Sequence, residues 1–169
     1  MSKKRAFVTG GTGFVGFYIV KSLIENGLDV SVLVRETAKK SSISQLKAMG
    51  AVLIQGDLLK PDSYSAILKG VSYVFHCAAM HTLWTDDPNL LYKTNLEGTK
   101  MLLDLADEAG IEQFIYTSSI KTVGLFPGDV ISDEDIEYNL WDMDGHYGRS
   151  KYLAEKMLLD SKRKIVIKI

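Results

Sequence analysis

The sequence is poor in cysteine and proline, and neither sign of charge is in excess. Cys77 is the single cysteine among 169 residues, so no internal disulfide can form and a reducing compartment, the cytoplasm, is expected. With 20 basic and 21 acidic residues, the chain lacks the basic excess that nucleic-acid-binding and anionic-membrane-binding proteins usually carry. No apolar run approaches the ~20 residues of a membrane span. The basic N-terminus leads straight into glycines, so no signal peptide is expected.

Short apolar runs alternate with longer amphipathic segments along the whole chain, the pattern of βαβ units. Strands are predicted at residues 6–9, 30–34, 52–54, 71–77, 114–116 and 165–169. Helices are predicted at residues 15–24, 43–49, 63–68, 89–109 and 148–159, and residues 120–145 are predicted to form a loop over a functional face. The pattern therefore predicts an α/β fold: one domain over residues 1–169, with a doubly wound Rossmann-type parallel sheet of about six strands and helices on both faces.

A glycine-rich turn joins the first predicted strand to the first helix. Its glycines follow a G-x-x-G-x-x-G spacing, which permits a tight turn, close approach of a pyrophosphate and close packing of helix on strand. Backbone N–H groups at the start of that helix would hold the phosphates. The predicted phosphate-binding residues are Gly10, Thr12, Gly13, Phe14, Val15 and Gly16. The alternative is a turn that only connects strand to helix.

The residue after the second strand indicates which dinucleotide is bound. NAD-selective sites usually carry an acidic residue there, whereas this chain has Arg35, whose guanidinium can pair with a 2′-phosphate. We therefore expect NADP as the cofactor, although Glu36 keeps NAD possible and a solvated basic loop is the alternative. Asp57, after the third strand, is predicted to bind the adenine amino group or, alternatively, only to form a turn.

Two further motifs carry candidate catalytic groups. Tyr147 and Lys151 lie four residues apart at the start of a predicted helix, so the phenol and the ammonium share one face. A neighbouring cation favours the phenolate and moves the tyrosine pKa toward neutrality. Ser118 and Ser119 end the fifth strand, where a hydroxyl can polarise a substrate carbonyl, or alternatively only cap the strand.

These motifs, in this order, resemble the extended short-chain dehydrogenase/reductases, the NAD-dependent epimerase/dehydratase family. The segments that carry the resemblance are residues 9–16, 56–58, 74–79, 95–99, 116–119 and 147–155. Residues 32–35 and 83–88 look most like the dihydroflavonol 4-reductase branch, and the hopanoid-associated sugar epimerases show a similar run. The resemblance thus covers nearly the whole chain.

The resemblance implies a role for each matching residue. Tyr147 would be the general acid/base, Lys151 would lower its pKa and hold the nicotinamide ribose, and Ser119 matches the catalytic serine better than Ser118. The resemblance also assigns cofactor contacts, which comprise Leu58, Ala78, Ala79, Asn95 and Thr117 together with Tyr147 and Lys151. Asn95 matches a helix asparagine that supports the site or touches the cofactor.

Family members continue through a substrate-binding lobe after a strand that residues 164–169 resemble, so the chain looks C-terminally truncated, with that lobe absent. The expected function is reduction or oxidation of a small-molecule substrate, with NADP as cofactor. A nucleotide-sugar-type epimerase or dehydratase and a non-catalytic dinucleotide-binding module are the alternatives. No metal is expected, because the three histidines and Cys77 lack a ligand spacing. Family dimers suggest a homodimer through helices 89–109 and 148–159.

Overall fold

The computed structural model describes residues 3–82, 84–126, 128 and 131–169, and its strands form one parallel sheet. The strands are β1 (Arg5–Thr9), β2 (Asp29–Val34), β3 (Val52–Gln55), β4 (Tyr73–His76), β5 (Gln113–Tyr116) and β6 (Val166–Lys168). Their order is β3-β2-β1-β4-β5-β6, so the winding direction reverses between β1 and β4. In such sheets ligands bind beyond the carboxyl ends of the strands at the reversal point.

Helices cover both faces of the sheet. They are α1 (Phe14–Glu25), α2 (Lys40–Ala48), α3 (Pro88–Tyr92), α4 (Gly98–Glu108) and α5 (His146–Leu159), with short 3-10 turns at Pro61–Ser63, Ser65–Leu68 and Ile120–Thr122. One apolar core includes Val20 of α1 and Leu46 of α2, and the other includes Leu102 of α4 and Leu158 of α5. The predicted doubly wound architecture, with about six strands, is confirmed.

Three predicted elements differ from the observed ones. Segment 63–68 is not one helix, because Tyr64 separates two 3-10 turns. The fourth strand is shorter than predicted, since the N–H of Val71 closes the preceding turn on Leu68 O at 3.0 Å. The long helix predicted for 89–109 contains a π-helical turn at Lys93–Glu97, between α3 and α4.

None of the helices within the described ranges is long and apolar enough to cross a membrane.

Candidate functional site

A cleft of about 640 Å³ lies beyond the carboxyl ends of β1 and β4. Eight of the residues predicted to bind the cofactor line this cleft: Gly10, Thr12, Gly13, Arg35, Asp57, Leu58, Ala78 and Ala79. They follow the carboxyl ends of four neighbouring strands, β3, β2, β1 and β4, which the sheet order brings together. The predicted residues that do not line it are Phe14 and Val15, exposed on α1, buried Gly16, and Asn95, Thr117, Tyr147 and Lys151.

The glycine turn leaves no room for side chains at two of its positions. Gly10 has a φ of +74°, and a Cβ there would lie 2.6 Å from the backbone nitrogen of Ala78. A Cβ on Gly16 would lie 2.4 Å from Gly10 O, so α1 packs directly against the turn. No side chain caps α1, and no acidic residue lies in its first turn. The backbone N–H groups at the start of α1 therefore remain available to an anion such as a diphosphate.

The opposite end of the cleft carries one cation and one carboxylate. Arg35 is exposed at the end of β2, and Asp57 follows β3. Asp57 Oδ1 accepts a hydrogen bond from the N–H of Leu59 at 2.9 Å, so Asp57 does form a turn. Within the described residues its other carboxylate oxygen has no side-chain or backbone donor, so that oxygen is left for a ligand.

Tyr147 and Lys151 lie in the first turns of α5, which begins two residues before its predicted start. The Lys151 side chain is buried, its ammonium donates a hydrogen bond to Thr117 O at 2.7 Å and lies 3.9 Å from the centre of the Tyr116 ring. Burial lowers the pKa of Lys151 to about 8, while the negative charge of Glu155 opposes that shift. The backbone immediately after β5 therefore holds the ammonium, and the spacing of four residues puts Lys151 on the same face of α5 as Tyr147.

The two serines after β5 differ in what their hydroxyls contact. The Ser118 hydroxyl donates to the carboxylate of Glu155 and is thus engaged inside the protein. Ser119 Oγ accepts a hydrogen bond from the N–H of Lys121 at 3.2 Å, which caps a 3-10 turn and leaves the hydroxyl proton available. Ser119 thus caps the 3-10 turn that follows it and not the end of the strand, and its free proton favours Ser119 over Ser118 for contact with a substrate oxygen.

Asn95 lies in the π-helical turn and joins the cleft to α5. Its Oδ1 accepts from the N–H of Met80 at 2.7 Å, and its Nδ2 donates to Met80 O at 3.0 Å and to Ser150 Oγ at 2.9 Å. Ser150 in turn donates to Tyr147 O at 2.7 Å. The amide protons of Asn95 are thus used within the protein, which supports the positioning role. A contact between Asn95 and the cofactor remains a prediction.

A buried chain of hydrogen bonds through His76 connects β1 and β4 to the π-helical turn that contains Asn95. The N–H of Ala78 donates to Thr9 Oγ1 at 3.2 Å, and Thr99 Oγ1 donates to Asn95 O at 2.6 Å. Between them, His76 contacts Thr9 Oγ1 through Nδ1 and Thr99 Oγ1 through Nε2, at 2.6 and 2.8 Å. Since Thr99 donates its hydroxyl proton to Asn95 O, its oxygen accepts a hydrogen bond from the Nε2–H of His76, whose imidazole is therefore neutral. Burial lowers the pKa of His76 to about 3, which agrees with that neutral form.

A buried carboxylate braces the first turn of α5. The side chain of Asp144 is 4% exposed, lies 3.4 Å from Lys121 Nζ and accepts from the Tyr138 hydroxyl at 3.2 Å. A Cβ on Gly148 would lie 1.6 Å from Asp144 Oδ2, so only glycine fits there. The loop before Tyr147 is therefore packed onto α5. Asp144 could not be singled out from the sequence, because nothing distinguishes it from the acidic residues around it.

Cys77, the single cysteine, lies at the wall of the cleft and not in the apolar core. The residue is half-buried and lines the cleft, and its thiol accepts a hydrogen bond from Thr117 Oγ1 at 3.3 Å. Burial raises the pKa of Cys77, so the thiol form is favoured over the nucleophilic thiolate. In the part of the chain that the structure describes, no three His, Cys, Asp or Glu side chains are grouped as a metal site.

Comparison with known proteins places this fold and these motifs in one family. The profile of the 3-beta hydroxysteroid dehydrogenase/isomerase family matches residues 7–168. A Synechocystis protein provisionally named dihydroflavonol 4-reductase is 38% identical over 153 residues, covering 90% of this chain and 43% of the relative. Mouse sterol-4-alpha-carboxylate 3-dehydrogenase, decarboxylating, is 34% identical over 160 residues, covering 94% of this chain and 41% of the relative. The 2-alkyl-3-oxoalkanoate reductase of Shewanella oneidensis is 31% identical over 158 residues (92% and 38%).

Solved structures agree with these relatives. Vestitone reductase from alfalfa superposes with a TM-score of 0.79 at 31% identity, covering 98% of this chain and 55% of that one. UDP-glucose 4-epimerase from Brucella ovis, in complex with NAD, gives a TM-score of 0.78 at 28% identity (93% and 47%). The chain spans about half the length of the proteins it matches. The resemblance drawn from the motifs is confirmed, and the chain belongs to the 3-beta hydroxysteroid dehydrogenase/isomerase family within the extended short-chain dehydrogenase/reductases.

Proposed function

We propose that this chain binds a nicotinamide dinucleotide in the cleft and transfers hydride to or from a carbonyl or hydroxyl carbon of a small molecule. The observation that carries the proposal is the placement of Tyr147 on α5, above a buried Lys151 and in ring contact with His81 of the cleft wall. The proposed phosphate-binding turn thus lines the cleft, and the proposed proton donor contacts the wall of the same cleft.

The residues present fit the cofactor. The side-chain-free turn at Gly10 and Gly16 and the uncapped start of α1 suit the diphosphate, and the free oxygen of Asp57 suits an adenine amino group. When bound, the cofactor supplies or accepts the hydride. Ala78 and Ala79 line the cleft at the end of β4, where their small side chains leave space for the cofactor.

Tyr147 acts as the proton donor in reduction and the acceptor in oxidation. The Lys151 ammonium lies on the same face of α5 and supplies positive charge to the site as the proton moves. Its hydrogen bond to Thr117 O keeps the ammonium in place. The Ser119 hydroxyl accepts a hydrogen bond from the N–H of Lys121 and donates its own proton to the substrate oxygen. It so orients the carbonyl toward the phenol.

Arg35 is proposed to select NADP over NAD. We expect Arg35→Asp to raise the Kd of NADPH by roughly tenfold or more and to change that of NADH much less, because a charge-assisted pair with the 2′-phosphate is lost. Titration calorimetry with both cofactors measures the effect. Lys47→Asp on α2 is the matched control, since it makes the same charge change at an exposed position outside the cleft. Equal loss of NADPH affinity in both variants, or none in Arg35→Asp, would exclude this role.

The substrate class we propose is a 3-oxo acid or the matching 3-hydroxy acid. The name of the mouse relative places a carboxylate on the carbon next to the one that is oxidised, and the name of the Shewanella relative specifies a 3-oxo acid. In both substrates, therefore, a single carbon separates the carboxylate group from the reacting carbon. A sugar epimerase is the second candidate, because an epimerase with bound NAD is 28% identical to this chain. Net consumption of NADPH during turnover distinguishes a reductase from an epimerase, which regenerates its cofactor.

A further inference from the structure

His81 lies on the wall of the cleft beside the proposed proton donor. The His81 and Tyr147 rings meet edge to face, with centroids 4.6 Å apart and an interplanar angle of 78°. His81 also lines the cleft and is exposed to it. Across the described ranges, neither ring nitrogen of His81 has a hydrogen-bond partner, in contrast to His76 and His146. An imidazole with free nitrogens therefore faces the space next to the phenol.

The backbone that carries His81 is held in place. Met80, the preceding residue, has both its N–H and its C=O bound by the side chain of Asn95, at 2.7 and 3.0 Å. Asn95 also donates to Ser150, one turn along α5 from Tyr147. The same buried amide thus fixes the segment before His81 and the helix that carries Tyr147. This arrangement sets the distance between imidazole and phenol, as a substrate-binding pair requires.

The cationic side chains near the cleft, Lys151 and Arg35, are either bound within the protein or distant from Tyr147. The Lys151 ammonium is buried and bound to Thr117 O. Arg35 ends β2, on the far side of β1 from the β4 end that leads to His81. His81 is then the group able to donate a charge-assisted hydrogen bond to an anion next to the reacting carbonyl. A substrate oxygen held by Tyr147 would leave a carboxylate one carbon away within reach of the neighbouring imidazole.

We infer that His81 binds the carboxylate of a 3-oxo or 3-hydroxy acid and so determines the preference for the acid over its ester. The inference rests on the proposed function and assigns a residue to its substrate class. His81 is a binding residue in this account, distinct from the Tyr147–Lys151 pair that handles the proton.

The test compares an acid and its ester on matched variants of the full chain. Apparent Kd values of 3-hydroxyoctanoate and methyl 3-hydroxyoctanoate are measured by thermal shift on protein saturated with NADP⁺. His81→Phe keeps an aromatic edge beside Tyr147 but removes both nitrogens. His146→Phe is the control, because that histidine contacts Tyr92 instead of the cleft.

We expect the wild type and His146→Phe to bind the acid roughly tenfold more tightly than the ester, and His81→Phe to bind the two equally. A preference for the acid that persists in His81→Phe overturns the inference. So does equal binding of acid and ester, or of neither, by a wild type that binds NADP⁺. If NADP⁺ itself does not bind, the proposed function fails, and the inference fails with it.

Discussion

Replacing Tyr147 by Phe is expected to lower kcat by about 10²–10⁴-fold, the usual contribution of a general acid or base. The substitution removes one oxygen and keeps the ring that contacts His81. Because the backbone of Tyr147 is held by Ser150, α5 should keep its place. The Kd of NADPH and the melting temperature are therefore expected to stay close to those of the wild type.

The assay follows NADPH oxidation at 340 nm with ethyl 3-oxobutanoate as a stable carbonyl probe. Tyr152→Phe is the control on the same helix, since its ring stacks on Tyr138 at 4.3 Å and not on the cleft wall. We expect this control to retain most of the wild-type turnover. Unchanged turnover in Tyr147→Phe would remove the tyrosine from the mechanism. A wild type that binds NADPH but turns over no carbonyl would favour the non-catalytic binding module.

The second large effect is expected at the glycine turn. Gly10→Ala should raise the Kd of NADPH by roughly a hundredfold or more, equivalent to about 3 kcal/mol of binding free energy. The alanine methyl group would lie 2.6 Å from Ala78 N and from Cys77 C, so the backbone lining the cleft has to move. The positive φ of Gly10, +74°, adds strain of roughly 1–3 kcal/mol.

Gly27→Ala separates the effect of backbone strain from the effect of displacing the backbone that lines the cleft. Gly27 has a similar φ of +82°, but a Cβ there meets nothing within 4 Å, and it lies at the far end of α1. We expect Gly27→Ala to lower the free energy of unfolding through strain while leaving the Kd of NADPH unchanged. Calorimetric titration and denaturant unfolding of both variants give the comparison. Equal Kd values for Gly10→Ala and the wild type would show that the turn does not hold the cofactor.

Local patterns in the sequence predicted the sheet well. The apolar runs that became β1, β2 and β5 are buried strands in a parallel sheet, where continuous hydrophobic sequence is the rule. The glycine spacing predicted a turn that borders the cleft through Gly10, Thr12 and Gly13, because steric exclusion of Cβ is a property of the turn itself, whereas Phe14, Val15 and Gly16 of the same motif do not line the cleft. These features depend on residues that are close together along the chain, so they can be predicted from its sequence.

The support beneath the site was not predictable in the same way. The hydrogen bonds of His76 join residues separated by 67 and 23 positions, and the clamp by Asn95 reaches Ser150 across 55. Hydrophobic periodicity carries no information on such pairs. One signal was present in β4, where Val74 and His76 share the buried face. A histidine on a core face requires buried partners, and that requirement could have directed attention to Thr9 and Thr99.

Direct titration of this chain with NADPH and, separately, NADH tests the central claim that the cleft binds a nicotinamide dinucleotide. A ligand that binds only the folded state must raise the melting temperature by mass action, whatever the substrate is. We predict a concentration-dependent rise with both cofactors, reached at lower concentration with NADPH. A protein that melts cooperatively and shows no rise with either cofactor would contradict the proposed function.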